Sequence, residues 1–156
     1  VQIERSWPGT LRLRFVAYSP VLRWQDRQFV DRDGNVFAVQ SVPKAVASLP
    51  RLRAKGPGFD LVYGLYNQIQ PLLLNPGWKL QHLTYDQQRG WWLGLQTGDQ
   101  IILGKESVAK RFRRMMLHYN KFPALNANKR WLWDLRYRYG LVIRSLPGNV
   151  RQEAAL

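Results

Sequence analysis

Short stretches in which apolar and polar residues alternate dominate this chain, and most of them end at glycine, proline or aspartate. A period of two is typical of a half-buried strand, whereas apolar residues at every third or fourth position indicate a helix. Residues 1–18 alternate on both sides of a turn at 7–10, which predicts a hairpin. Two strands alone are marginally stable in water, so this hairpin must pack against further structure.

Further strands are predicted along the chain. One lies at 20–24, and a hairpin at 28–39 closes around an Asp and Gly turn. This turn is shorter than a calcium loop and lacks its closing Glu. Prolines and glycines make 40–58 a predicted loop with a short extended piece at 49–52. Three more strands are predicted at 78–85, 90–96 and 100–103.

Two segments have helical periodicity. The first runs from Asp60 to Leu74, although Pro71 predicts that this helix ends or bends near Gln70. The second spans 105–119. Its apolar stripe comprises Val108, Phe112, Met115, Met116 and Tyr119. Strands and helices in this order predict an α+β fold, in which a mixed or antiparallel twisted sheet carries two helices on one side.

The last predicted strand runs from Asp134 to Arg144, and residues 146–156 are expected to fray. No later strand covers it, so its outer edge would expose unpaired amide and carbonyl groups. The arginines of this strand, which include Arg136 and Arg138, fit two interpretations. They protect the edge from unwanted pairing, or they match an acidic partner that adds a strand there. The pattern itself favours neither.

The charge of the chain points to an anionic partner. The formal net charge is +14 at pH 7, which fits nucleic acid, anionic lipid or an acidic protein. Nucleic-acid binding is the main alternative function, because Arg51, Arg53 and Lys55 form a predicted basic loop and the second helix is also basic. Most aromatic residues alternate with aliphatic ones, however, as core residues do, and no nucleic-acid-binding motif is present.

Catalytic chemistry is not predicted. The chain has no cysteine, which excludes disulfides and thiolate metal sites. His82 and His118 lie in no nucleophile or zinc motif, and the carboxylates are scattered. Both histidines are therefore predicted to be structural or surface residues, and no cofactor or metal is expected. No apolar run approaches the roughly 20 residues that a membrane helix needs.

A set of motifs stands in a specific order along the chain. They are RSWPGTL at 5–11, YSPVLRW at 18–24, FVDRDGNVF at 29–37, LPRL at 49–52 with GPG at 56–58, GWWLGL at 90–95, LGK at 103–105 and DLRY at 134–137. Each motif alone is weak, but the ordered set resembles the extracytoplasmic part of the bacterial cell-division family FtsQ/DivIB. The resemblance extends to about residue 144.

The resemblance implies a domain organisation and a place in the cell. In this family a cytoplasmic tail, one membrane helix and a small POTRA domain precede a β domain. Residues 1–18 would be the last strands of a truncated POTRA domain, 19–145 the β domain and 146–156 a frayed tail. The full-length protein would have one membrane helix upstream of this chain. The domain would lie on the periplasmic side of the inner membrane at the division septum.

The resemblance also implies a function and a site. Members of the family are non-enzymatic scaffolds that recruit FtsB and FtsL, and the last strand of the β domain receives FtsB. The matching positions in this chain are Arg89, Arg136, Tyr137, Arg138, Tyr139, Gly140 and Leu141. The two tyrosines would be amphipathic anchors, and Gly140 would allow close backbone approach. Nucleic acid is then disfavoured as a partner.

Overall fold

The computed structural model describes residues 2–6, 9–14, 19–42, 44–74, 76–119 and 129–147. Two helices are present, α1 (Phe59–Leu74) and α2 (Val108–His118), with one 3-10 turn at Lys44–Val46. The strands are β1 (Gln2–Ser6), β2 (Thr10–Arg14), β3 (Leu22–Trp24), β4 (Gln28–Val30), β5 (Val36–Ala38), β6 (Arg51–Ala54), β7 (Leu80–Asp86), β8 (Gly90–Leu95), β9 (Gln100–Gly104), β10 (Arg130–Asp134) and β11 (Val142–Leu146).

The strands form two sheets. The predicted first hairpin is confirmed, since β1 and β2 pair antiparallel in a sheet of their own. The other nine strands form one sheet in the order β11-β10-β9-β8-β7-β6-β3-β4-β5. Three neighbouring pairs, β3 with β6, β6 with β7 and β9 with β10, are parallel, and the others are antiparallel. A mixed sheet with two helices confirms the predicted α+β class.

One continuous core joins the helices to one face of the large sheet. Alternate residues of the central strands are fully buried, because successive side chains of a strand point to opposite faces. The sheet contributes Leu52, Leu83, Leu93, Ile101 and Leu103 to this core. The helices contribute Val62, Leu65, Ile69 and Leu73 from α1, and Val108, Phe112 and Met115 from α2. Each such side chain stabilises the fold by about 1.5–3 kcal/mol relative to an exposed one.

The structure corrects the predicted end of the first helix. α1 continues through Pro71 to Leu74 and does not end near Gln70. The proline lacks the N–H that would bond the carbonyl of Asn67, but it stands exposed in the last turn. The buried side chains of Ile69 and Leu73 on either side keep that turn against the sheet.

The predicted loop at 40–58 contains a central strand. Residues 51 and 52 of the extended piece expected at 49–52 begin β6, which lies between β3 and β7 with Leu52 fully buried. Arg51 and Arg53 therefore lie on a strand, and the prediction of a basic loop at these positions is wrong.

The predicted final strand from Asp134 to Arg144 is also wrong. β10 ends at Asp134, β11 begins at Val142, and residues 135–141 form a turn between them. The carboxylate of Asp134 accepts the backbone N–H of Arg136 at 3.1 Å, which ends the strand with local turn chemistry. Leu146, expected in the frayed tail, is the last residue of β11. Residues 148–156 lie outside the described residues, as does most of the loop predicted at 123–130.

Candidate partner-binding edge of the sheet

β11 forms one margin of the large sheet, and among the described residues it pairs only with β10. The hydrogen bonds between β10 and β9 show which N–H and C=O groups of β10 point toward β11. The N–H of Trp131 donates to Oδ1 of Asp99 at 2.6 Å, and the N–H of Leu135 donates to the carbonyl of Ile102 at 2.8 Å. Odd-numbered residues of β10 thus face β9, and even-numbered residues face β11.

The register of β10 with β11 then defines the open edge. Because Leu132 is opposite Arg144, the even-numbered residues of β11 bond to β10. Ile143 and Ser145 direct their N–H and C=O groups away from the sheet. Pro147 ends this edge, because it has no N–H and its carbonyl accepts a bond from Nη2 of Arg130 at 3.2 Å. The edge therefore offers two donors and two acceptors to another chain.

The two faces of β11 differ in chemistry. Ile143 packs against the core on the helix side, opposite the buried Trp133. Val142, Arg144 and Leu146 lie on the helix-free face, with Arg144 exposed. A strand added to this edge would thus meet an apolar helix side and a partly cationic opposite side.

The turn at 135–141 is held by a clamp from α2. Nη1 of Arg114 donates to the carbonyl of Arg138 at 2.6 Å, and Nη2 donates to the carbonyl of Tyr137 at 3.0 Å. The same Nη2 lies 3.5 Å from the carbonyl of Gly140. One guanidinium thereby binds three carbonyls that no strand satisfies, which fixes the turn beside the start of β11.

The turn, and not a strand, carries six of the seven predicted site residues. Tyr137 is 48 % exposed and Tyr139 88 % exposed, with the guanidinium of Arg138 5.3 Å from the centre of the Tyr139 ring. Gly140 has open space where a Cβ would stand. Tyr139, Gly140 and Leu141 line a hollow of about 360 Å³ whose other wall is α2.

The seventh predicted residue, Arg89, lies exposed in the turn between β7 and β8. It lines a second hollow of about 240 Å³ together with Arg136, Gly104 and Arg111. Gly104 has a φ of +80°, and a Cβ there would lie 2.7 Å from Nη1 of Arg111. The structure therefore brings Arg89 and Arg136 to one hollow, and it places Arg89 away from the edge of β11.

An ion pair anchors the beginning of the turn. Nη2 of Arg136 lies 2.6 Å from Oδ2 of Asp134, and its Nε donates to Oδ1 at 2.9 Å. The hydrogen bond from Arg136 lowers the pKa of the buried Asp134 carboxyl, and the same bond raises the pKa of Arg136. Both groups are therefore charged at neutral pH, whereas Arg138 and Arg144 are exposed.

The sequence of most of the large sheet, from β3 to β10, matches the model of a protein family. The C-terminal domain model of the cell division protein FtsQ/DivIB matches residues 22–136. The chain belongs to this family. FtsQ of Escherichia coli is 28 % identical over 151 residues, covering 94 % of this chain and 54 % of the relative. FtsQ of Allochromatium vinosum is 31 % identical, covering 94 % and 58 %, and FtsQ of Coxiella burnetii is 27 % identical, covering 92 % and 59 %.

The match confirms the resemblance that the ordered motifs predicted, and it makes this FtsQ/DivIB chain a cell-division protein. The chain spans between half and three fifths of the length of these curated relatives.

Sequence reasoning missed the residues that support the edge. Arg114 lies on the second helix, which the sequence showed only to be basic, yet it binds the carbonyl of Tyr137, 23 residues later. Arg111 likewise donates through Nη1 to the carbonyl of Leu103 at 2.9 Å. No local pattern indicates either contact, because both partners are backbone carbonyls.

The other chemistry of this FtsQ/DivIB domain is sparse. Among the residues that the structure describes, no three His, Cys, Asp or Glu side chains are placed to hold a metal ion. In the same part of the chain, neither helix has the length and apolar character needed to span a bilayer. His82 is half-buried with its ring against Trp92, and His118 is exposed on α2.

Proposed function

We propose that this FtsQ/DivIB domain is a non-enzymatic scaffold of the bacterial divisome, which recruits an FtsB/FtsL-type partner by accepting one of its strands on the outer edge of β11. The observation that carries the proposal is the pair of outward-facing residues Ile143 and Ser145 at a sheet margin that no described strand covers. The proposal places the domain on the periplasmic side of the inner membrane, with a membrane helix upstream of this chain.

The domain boundaries belong to the proposal. Residues 1–18 end a POTRA domain and 19–145 form the β domain. This division is supported by the separate sheet of β1 and β2 and by the start of the family match at residue 22.

Backbone hydrogen bonds would supply a sequence-independent part of the affinity. The two N–H and two C=O groups of Ile143 and Ser145 can form four bonds with an added strand, each worth about 0.5–1.5 kcal/mol net. Side chains of the added strand would alternate between the two faces. Those on the helix side meet Ile143 and those on the other side meet Arg144, which favours an acidic residue there.

The turn would give the partner its specificity. A chain that leaves the edge beyond Val142 passes the exposed rings of Tyr137 and Tyr139, which are the residue type that dominates binding energies at interfaces. The hollow beside Gly140 and Leu141 can hold one apolar side chain of the partner. Arg138 lies exposed for an acidic group, and Arg89 with Arg136 flanks a second contact beyond it.

Proline substitution on the open edge tests the proposal. The N–H of Ser145 points outward, so Ser145→Pro removes a donor to the partner without removing a bond to β10. We expect this variant to bind an FtsB-type peptide at least about tenfold more weakly by isothermal titration calorimetry, because strand addition depends on that N–H.

Ser145→Ala is the matched control, since it removes the hydroxyl and keeps the N–H. It should bind within about twofold of the parent chain. Equal affinity of the two variants for the peptide, with both still folded by circular dichroism, would contradict strand addition at this edge.

A further inference from the structure

The helix-free face of the large sheet carries a second charged surface, far from β11. Arg23 on β3, Arg51 and Arg53 on β6, His82 on β7 and Trp92 on β8 line one groove of about 690 Å³. We name these five residues the arginine groove. β9 and β10 separate its strands from β11, so it is distinct from the proposed partner edge.

The register of the strands places two cations side by side. Arg23 is directly opposite Arg51, and Arg51 is in turn directly opposite His82. Burial first and the charge of Arg51 second lower the pKa of His82, so its imidazole is neutral at pH 7. Neighbouring strands are about 4.8 Å apart, and like charges directly opposite one another destabilise a sheet. Burial first and the charge of Arg51 second lower the pKa of Arg23. The proximity of Arg23 and Arg51 therefore destabilises the sheet.

Few groups of the protein neutralise the positive charges of the arginine groove. Among the described residues, only Arg53 has a carboxylate partner, the exposed Asp26. Nη1 of Arg23 lies 3.4 Å from the carbonyl of Ala47, while its Nε is buried without a hydrogen-bond partner. Nδ1 of His82 and Nε1 of Trp92 are also buried and unpartnered in the described part of the chain. Arg23 and Arg51 thus line the groove without a carboxylate partner among the described residues, which favours a ligand that brings carboxylate oxygens.

We propose that the arginine groove binds an acidic peptide segment in extended conformation, with carboxylates of alternate residues on Arg51 and Arg53. These arginines are two positions apart on β6, a spacing of about 6.6 Å that equals the distance between same-face side chains of an extended peptide. The planar guanidinium groups match carboxylates in two-point contacts. The neighbouring Gln81, Thr84 and Gln96 can bond the backbone of the peptide.

The geometry favours a peptide over the other anions. A single phosphate fills only a small part of a groove of about 690 Å³, whereas an extended peptide can follow the groove along β6. Single-stranded nucleic acid has a similar charge spacing, but its binding sites add several exposed rings on which bases stack. The lining of this groove has only the rings of His82 and Trp92, and these two pack edge to face against each other at 4.5 Å.

Binding by the intact chain tests the site. The probes are a short peptide with Glu at alternate positions, the same peptide with Gln for each Glu, oligothymidylate of matched charge, and inorganic phosphate. We expect the Glu peptide to bind at physiological salt and the Gln peptide to lose at least about tenfold in affinity. Arg51→Gln should weaken the Glu peptide by about tenfold, whereas Arg113→Gln, an exposed arginine on α2, should leave it within about twofold.

The two histidines of the chain report where the probe binds. The ring signals of His82 should shift on addition of the Glu peptide, and those of the exposed His118 should stay in place. Ser145→Pro should bind the Glu peptide like the parent chain, which separates this site from the edge of β11. Tighter binding of oligothymidylate, equal losses in Arg51→Gln and Arg113→Gln, or a shift confined to His118 would overturn the proposal. If Arg51→Gln loses its fold, Arg53→Gln replaces it with the same expected result.

Discussion

Arg114 and Tyr137 are 23 residues apart in sequence, and the guanidinium of the first bonds the carbonyl of the second at 3.0 Å. A helix side chain thereby sets the conformation of the turn that precedes the edge strand. The position of the turn depends on this bond and on the bond to Arg138 at 2.6 Å, because the turn has no ladder partners of its own.

Loss of this clamp should loosen the proposed binding site more than it destabilises the fold. We expect Arg114→Ala to lower the free energy of unfolding by about 1 kcal/mol, since the bonds lie near the surface. Affinity for an FtsB-type peptide should fall about tenfold, because the turn must then be ordered on binding. Urea unfolding and calorimetry measure the two effects.

Arg113→Ala on the exposed side of α2 is the control for lost positive charge. Parallel losses of peptide affinity in both variants would mean that net charge matters and the clamp does not. Arg114→Lys should behave like the alanine variant, because an ammonium cannot bind these carbonyls with the planar fork of a guanidinium.

The role of Gly140 in binding can be tested apart from its role in the fold. Its φ is not positive, and a Cβ there would meet nothing within 4 Å. Gly140→Ala should therefore change the free energy of unfolding by less than about 0.5 kcal/mol. If the backbone of a partner approaches closely at this position, the same variant should weaken peptide binding by about tenfold.

Tyr137→Ala tests the ring beside it and should also weaken the peptide by at least about tenfold. Leu117→Ala removes an exposed apolar side chain of α2 and serves as its control. Unchanged affinity in both Gly140→Ala and Tyr137→Ala would remove the turn from the proposed interface and leave only the edge of β11.

Local signals were sufficient where a contact lies within a few residues. The turn between β4 and β5 was predicted from its Asp and Gly, and Oδ1 of Asp31 indeed accepts the N–H groups of Asp33 at 2.9 Å and Asn35 at 2.8 Å. The stripe of α2 was likewise predicted, and Phe112 is fully buried. In the turn the deciding hydrogen bonds join residues at most four positions apart, and in α2 the buried positions recur with the helical period.

Contacts between distant segments decided the features that the sequence did not reveal. The residues of β6 were predicted to lie in a loop with a short extended piece at 49–52, because prolines and glycines surround them. The strands that pair with β6, β3 and β7, lie elsewhere in the chain. The break between β10 and β11 was missed because the β-forming residues around Tyr137 suggest a continuous strand. The carboxylate of Asp134 and the guanidinium of Arg114 override that propensity. The sequence therefore grouped the candidate residues 136–141, but it did not predict that they lie in a turn and not in a strand.

The ion pair of Asp134 and Arg136 should make stability depend on acid pH. Because its pKa is lowered in the folded state, Asp134 contributes stability that is fully present above its unfolded pKa of about 3.9. This contribution is lost as the pH falls through the folded pKa. Urea unfolding between neutral pH and pH 2 should show this loss, and Asp134→Asn should flatten the dependence below about pH 4. A profile in the asparagine variant that parallels the parent would assign the acid sensitivity to other carboxyls.

Gly94 and His82 form a contact that leaves no room for a side chain. They are opposite each other on β8 and β7, and a Cβ on Gly94 would clash with Nε2 of His82. We expect Gly94→Ala to lower the free energy of unfolding by about 1–3 kcal/mol, because the imidazole must leave its place against Trp92. Urea unfolding measures this loss.

A double-mutant cycle tests this cause. Its second substitution is His82→Ala, which removes the obstructing ring. If the steric contact is the cause, Gly94→Ala should lower the free energy of unfolding only slightly when His82 is already alanine. The two substitutions would then be coupled by about 1 kcal/mol or more. Gly64→Ala, in the interior of α1 with nothing within 4 Å of its Cβ, is the matched control and should stabilise the chain by about 0.5–1 kcal/mol. Additive losses in the double variant would show that Gly94 is needed for its backbone and not for the space that it leaves to His82.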